Sequence, residues 1–186
     1  MKMEKINSCK IILIDSDVIS HFITNNCLSD LPVILSPHRC TILDYVYNEL
    51  ARHPFRKSLV DFLIKNGDIE LMKFPDSNIA IKEEFAKIKK VIHLIGDGER
   101  ACMAVAKFNK DIIASSNFRD IAPYCEKNNI QYLGALDILS YAVSKNIYNE
   151  AKCDDFIQNA IRINKARFPK GVTQMKFYIP RNLSFL

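Results

Sequence analysis

Short, wholly apolar runs of β-forming residues alternate along this chain with longer segments of helical period, and no other feature narrows the available folds as much. Lys10-Ile11-Ile12-Leu13-Ile14 is apolar at every position after the lysine, as expected of a strand covered on both faces. Residues 17–25 place Val18, Ile19, Phe22 and Ile23 on one helical side. Residues 41–52 place Leu43, Val46, Tyr47 and Leu50 at i, i+3, i+4 and i+7, with Pro54 as the stop. A helix over 55–65 closed by Asn66-Gly67, a strand over 69–74 and a charged helix over 78–92 follow. Gly96-Asp97-Gly98 then breaks the chain. Residues 99–108 are helical in period but apolar around most of the circumference, which predicts a buried central helix. A strand over 111–116, a helix over 118–127, a short strand over 130–133 and helices over 136–145 and 148–164 complete an α/β chain of βαβ units around a parallel sheet. Residues 1–167 contain no repeat or linker and read as one domain. Residues 168–186, with Pro169, Gly171 and Pro180, read as a basic, extended C-terminal segment.

Composition excludes several classes. With 186 residues, 48% apolar and 25% charged, the chain is neither disordered nor fibrous and is long enough to bury a core without staples. Its six cysteines contain no C-x-x-C pair, so they read as reduced thiols of a cytoplasmic protein and not as a disulfide frame or zinc site. The charged start Met1-Lys2-Met3-Glu4-Lys5 and the four-residue apolar run Ile11 to Ile14 suit neither a signal peptide nor a membrane span. Arg162, Lys165, Arg167, Lys170, Lys176 and Arg181 all follow Asp155, the last acidic residue; without them the chain holds 20 basic against 21 acidic residues. The excess positive charge is thus terminal. It suits either a solvated segment or one that meets nucleic-acid phosphates, with Arg162, Lys165, Arg167 and Lys170 as the candidates.

In open α/β sheets, reactive groups gather where strands end. Asp15 stands directly after Ile-Ile-Leu-Ile, where an ionised carboxylate is costly unless a cation or several donors meet it. Asp17 is well placed to cap the next helix. Glu99 opens the apolar helix beside Gly96 and Gly98, whose missing side chains let the backbone approach another group, although it could simply complement the helix dipole. Glu49 borders the apolar face of its helix and, taken alone, reads as a surface residue. Ser115-Ser116-Asn117 ends a strand, at a ligand position or as a capping turn. Taken together, Asp15, Glu49 and Glu99 are hard oxygen donors without His or Cys partners, which select Mg²⁺ or Mn²⁺ and suit phosphoryl chemistry.

These residues resemble the motifs of the PIN-domain nucleases. Ile11-Ile12-Leu13-Ile14-Asp15-Ser16-Asp17 is similar to the family's first motif, Val46-Tyr47-Asn48-Glu49-Leu50 to its second, and Gly98-Glu99-Arg100-Ala101-Cys102-Met103-Ala104-Val105-Ala106 to the Gly-Glu helix of one branch. The strand over 130–133 and Gly134-Ala135-Leu136-Asp137-Ile138-Leu139 continue in that branch's order, so the similarity covers residues 10 to 146. The resemblance implies a three-layer α/β/α sandwich with a central, mostly parallel sheet. It also implies Mg²⁺- or Mn²⁺-dependent cleavage of RNA, membership of a toxin–antitoxin pair with an antitoxin protein as partner, and a homodimer. Asp15, Glu49 and Glu99 take the metal-ligand positions. At the fourth position, where the family most often has Asp, this chain has Asn117 after Ser116. An amide oxygen and a serine-held water can still serve there, but one formal charge is missing, and Asp120 one turn on is a substitute in a shifted geometry.

Two other readings remain. One is a PIN-like fold with a weakened metal site that binds RNA or protein through its basic end, where Phe168, Phe177, Tyr178 and Phe185 could stack on bases or fold back on the body. The other is a phosphatase of the haloacid dehalogenase type, because Asp15-Ser16-Asp17 resembles its nucleophile motif. In that family the Gly-Asp motif follows the Ser/Thr strand, whereas here Gly96-Asp97 precedes Ser115-Ser116.

Overall fold

The all-apolar run Ile11–Ile14 forms the middle strand, β1, of a five-stranded sheet in a computed structural model that describes residues 9–181 and 183–186. The charged segment 1–5 lies outside the described residues. With β2 (Arg39–Leu43), β3 (Glu70–Met72), β4 (Ile112–Ala114) and β5 (Tyr132–Leu133), β1 makes an all-parallel sheet in the order β3-β2-β1-β4-β5. Register pairs Ile12 with Cys40 on one side and with Ile112 on the other. Ile12, Leu13, Ile14, Ile112, Ile113 and Ala114 are all fully buried, which is why neither central strand alternates with polar residues.

The crossovers run through α1 (Ser16–Thr24) and α2 (Asp30–Leu35), then α3 (Asp44–Leu50) and α4 (Pro54–Asn66), then α5 (Ile79–Val91) and α6 (Asp97–Asn109), and finally α7 (Phe118–Lys127). The chain steps outward from β1 to β3 and then returns past β1 to β4, so right-handed crossovers put the two sets of helices on opposite faces. The helices α8 (Ala135–Ser144) and α9 (Glu150–Asn164) follow β5 and pack on α2 and α1 respectively, completing a three-layer α/β/α sandwich. Residues 101–106 of α6 are buried all round, as their composition predicts. No helix of the described residues is long and apolar enough to cross a membrane.

Two elements correct the sequence reading. Residues 41–52 are not one helix: β2 ends at Leu43 and α3 begins at Asp44, so Leu43 belongs to the sheet, and Pro54 opens α4 at its first turn instead of closing the helix before it. The stretch between β1 and β2, to which the sequence assigned nothing beyond residue 25, contains α2, with Pro32 tolerated in its first turn. Residues 168–186 carry no element beyond a single 3₁₀ turn at Met175–Phe177, yet they lie against the body. Val172 and Met175 are buried, and the Met175 amide donates to Asp154 at 2.7 Å. Arg181 donates to buried Asp137 at 2.6 Å and stacks between Phe118 and Tyr132, so it is not a free cation. Tyr178 folds back and donates to Asp137, whereas Phe177 remains exposed.

Candidate metal centre

The sheet order reverses between β1 and β4, and the crevice beyond the carboxyl ends of two such strands is where an open α/β sheet binds ligands. Asp15 follows β1 there, and Ser115, Ser116 and Asn117 follow β4. The N-termini of α1, α6 and α7 also point to this edge and carry the partial positive charge that favours anions.

A chain of hydrogen bonds ties the groups together. The fully buried Ser115 hydroxyl lies 3.0 Å from Glu99 Oε1 and 3.4 Å from Asp15 Oδ2. Asn117 Nδ2 donates to Glu99 Oε2 at 3.1 Å and to Asp120 Oδ2 at 2.9 Å. Glu49 spans two helix starts: its Oε2 accepts from the Ser16 hydroxyl at 2.9 Å and its Oε1 from the Gly98 amide at 3.0 Å. Gly98 is needed for that approach, since a Cβ built there would lie 3.0 Å from both Glu49 Oε1 and Val46 Cγ2. Asp17 is not the cap of α1, which begins at Ser16; its Oδ2 reaches across to accept from the Ser116 amide at 2.9 Å. A helix start one residue earlier than expected therefore turns a capping residue into a bridge between the β1 and β4 ends.

Burial and one another's charges raise the pKa values of Asp15, Asp17 and Glu99. Burial pushes Asp15 well above the usual carboxylate range, and the charges of Asp17, Glu99 and Glu49 push it further. Asp17 rises to about 6, through burial opposed by the backbone donors of Ser116 and Val18. Glu99 rises to about 7, through burial and the Asp17 charge, against the donors Ser115 and Asn117. Below them, burial pushes the Cys102 thiol up, and Asp15, Glu99, Glu49 and Asp17 all add to the effect.

Neutralisation is lacking. Among the described residues no Lys or Arg pairs with Asp15, Asp17, Glu49 or Glu99. Arg100, next to Glu99, turns away to Asp97 and stacks on Phe85 at 4.0 Å, and Arg119 pairs with Asp120. Buried Asp137 shows the contrast. It accepts from the Gly134 amide, Tyr178 and Arg181, a complete set for a structural carboxylate. Asp15 Oδ1 and Asp17 Oδ1 are buried with no partner, as is Ser116 Oγ.

No protein-family model matches this chain, and no curated protein or solved structure matches it significantly. The chemistry of the residues themselves therefore carries the functional reading.

A divalent cation fits the surplus of charge and the orphaned oxygens of Asp15 and Asp17. Among the described residues no group of three or more His, Cys, Asp or Glu side chains is placed to hold a metal ion as the side chains stand, so the acids would have to shift from their present donors to share one. Asp15, Glu99 and Glu49 are the residues able to hold the ion, with Asp17, Asn117 and Asp120 around them. Asp120 comes within one hydrogen bond of Asn117, so the acid one turn beyond the fourth position does reach the cluster. Ser115 holds the strand-end position that the sequence marked for ligands, and the Gly98 amide makes the close backbone approach expected of that glycine, to Glu49. Ser16, which donates to Glu49, was not among the sequence candidates. The cations Arg162, Lys165, Arg167 and Lys170 are all exposed near the end of α9 and just beyond it. Lys165 and Arg167 share the lining of one cavity with Asp17, Ser116 and Asn117.

Proposed function

We propose that this chain is a Mg²⁺- or Mn²⁺-dependent ribonuclease of the PIN type. One observation carries the reading: Asp15 and Asp17 after β1, Glu49 on α3 and Glu99 on α6 come from three separate segments to the β1/β4 edge, and among the described residues none of them pairs with a Lys or Arg, while two of their carboxylate oxygens are orphaned. Structural carboxylates do not cluster without a neutralising partner. A bound dication would supply the charge that lowers the pKa of a water and stabilises the leaving oxygen of a cleaved phosphodiester. Asp15, Glu99 and Glu49 would hold that ion, with the Ser115 hydroxyl set between the first two. Asp17 lines a cavity together with Lys165 and Arg167, whose charges would draw the RNA backbone to its mouth. A homodimer and an antitoxin protein are the partners this reading carries with it.

A second reading has its own support. Asn117 turns its NH₂ group, a donor and not a ligand, to both Glu99 and Asp120 at the place where the resemblance calls for an acid. That arrangement suits a weakened metal site in a module that binds RNA without cutting it.

The test is a cleavage time course on end-labelled single-stranded RNA with Mg²⁺, Mn²⁺ or EDTA, run beside Asp15→Asn. Cleavage is expected only with a metal and is expected to fall on the order of 100-fold in the variant. Full-rate cleavage by the variant refutes the site. RNA binding with no cleavage in any metal favours the second reading.

A further inference from the structure

A cavity of about 510 Å³ opens beside the acids, with Asp17, Ser116 and Asn117 on one wall. That volume falls within the roughly 300–1,000 Å³ of small-ligand sites. Its outer walls are aromatic and aliphatic, with Phe118, Phe168 and Tyr178 among them. Tyr178 has its hydroxyl occupied by Asp137 and therefore presents only its ring. His21 and Asn164 line it as well. His21 is 5% exposed, and its Nδ1, like Asn164 Oδ1 and Ser116 Oγ, is closed off from the open space. Burial holds His21 below its ordinary pKa, against a side-chain hydrogen bond with Asn164. Lys165 and Arg167 stand at the rim.

A ligand of this cavity must be flat enough to lie against the rings, must carry both donors and acceptors at its edge, and must be attached to an anion that reaches the rim. A nucleobase on its sugar-phosphate backbone meets all three conditions, and base stacking on aromatic rings is a general device of single-strand binders. We propose that this cavity is a base-selective subsite that holds one unstacked nucleotide of single-stranded RNA, with His21 and Asn164 reading the base edge. The proposal rests on the ribonuclease reading for its substrate class. It adds that a single base, inserted next to Asp17, sets which phosphodiester reaches the acids, and that duplex RNA is excluded because a paired base cannot enter.

The experiment follows the His21 ring signal by NMR in the full chain, which has four histidines, with the signal assigned by its loss in His21→Gln. The four ribonucleoside 5′-monophosphates are titrated separately in EDTA, with ribose 5-phosphate as the control. One or two nucleotides are expected to shift the signal saturably, and ribose 5-phosphate is expected to leave it in place. Asn164→Ala and Phe168→Ala are each expected to weaken the preferred nucleotide about tenfold. No shift from any nucleotide, equal shifts from all four, or a shift from ribose 5-phosphate overturns the proposal. If either variant fails to fold, the wild-type titration still decides. Metal-dependent cleavage without any His21 shift removes the subsite and leaves the nuclease standing. A base-selective shift without cleavage in any metal keeps the subsite and removes catalysis.

Discussion

Replacing Asp17 by Asn should stabilise the metal-free protein, although substitutions at a bridging residue ordinarily weaken a fold. In the folded chain the carboxyl of Asp17 rises from 3.8 to about 6. That difference of about two units corresponds to about 3 kcal/mol against the ionised form. The sign follows from the direction of the shift. The protonated acid is the form the fold prefers, so near pH 4 and below the group costs nothing, and the penalty grows as pH rises toward 6 and is complete above it. Asparagine keeps the one good contact, since its Oδ1 still accepts from the Ser116 amide, while its NH₂ takes the place of the orphaned Oδ1 without a buried charge. In EDTA at pH 7.5 the variant should gain about 2–3 kcal/mol, or about 5–10 °C in Tm for a chain of this size. At pH 4.5 most of that gain should vanish. Saturating Mn²⁺ should raise the Tm of the wild type more than that of the variant, because the ion offsets the cost of the buried charge. Differential scanning calorimetry in the two buffers provides the measurement. A variant no more stable than wild type at pH 7.5, or a gain equal at both pH values, would refute the idea that Asp17 is held ionised at a cost of burial that no neighbouring cation offsets.

Other substitutions probe separate parts of the site. Gly98→Ala puts a methyl group 3.0 Å from Glu49 Oε1 and Val46 Cγ2, so urea unfolding should show a loss of about 1–3 kcal/mol, and cleavage should fall with it as Glu49 is displaced. Asn117→Asp restores the missing charge and should tighten Mn²⁺ about tenfold by calorimetric titration, at the expense of metal-free stability. Reversing Lys165 and Arg167 to Glu should weaken RNA binding by filter assay and flatten its dependence on salt, while leaving the Tm within a degree or two.

Much of the fold was open to sequence reading because burial left clear marks. Ile11 to Ile14 and Ala101 to Ala106 carry no polar residue, and all of them but half-buried Ile11 proved to be fully enclosed. Strand β2 escaped for a physical reason: Leu43 ends the strand and Asp44 starts the helix with no Gly or Pro between them, so the helical period of Val46, Tyr47 and Leu50 absorbed Leu43 as well. Helix α2 is a six-residue piece with Pro32 inside it, below the length at which periodicity is readable. At the site, Asp15 was legible because an acid after an apolar strand has few structural reasons to be there. Glu49 was not legible by itself, since its value comes from Ser16 and Gly98, 33 and 49 residues away in sequence. Asp17 was misjudged over a single residue of helix start. His21 carried no signal at all, because a histidine on an apolar helical face is usually core, and only the open cavity distinguishes it.

Direct metal uptake tests the centre most simply. Mn²⁺ titrated into the full chain at pH 7.5 and followed by the electron paramagnetic resonance of the free ion should disappear into the wild-type protein and stay free at least tenfold longer in concentration with Asp15→Asn. Equal uptake by both proteins, or none by the wild type even at millimolar ion, would contradict a shared dication site at the ends of β1 and β4.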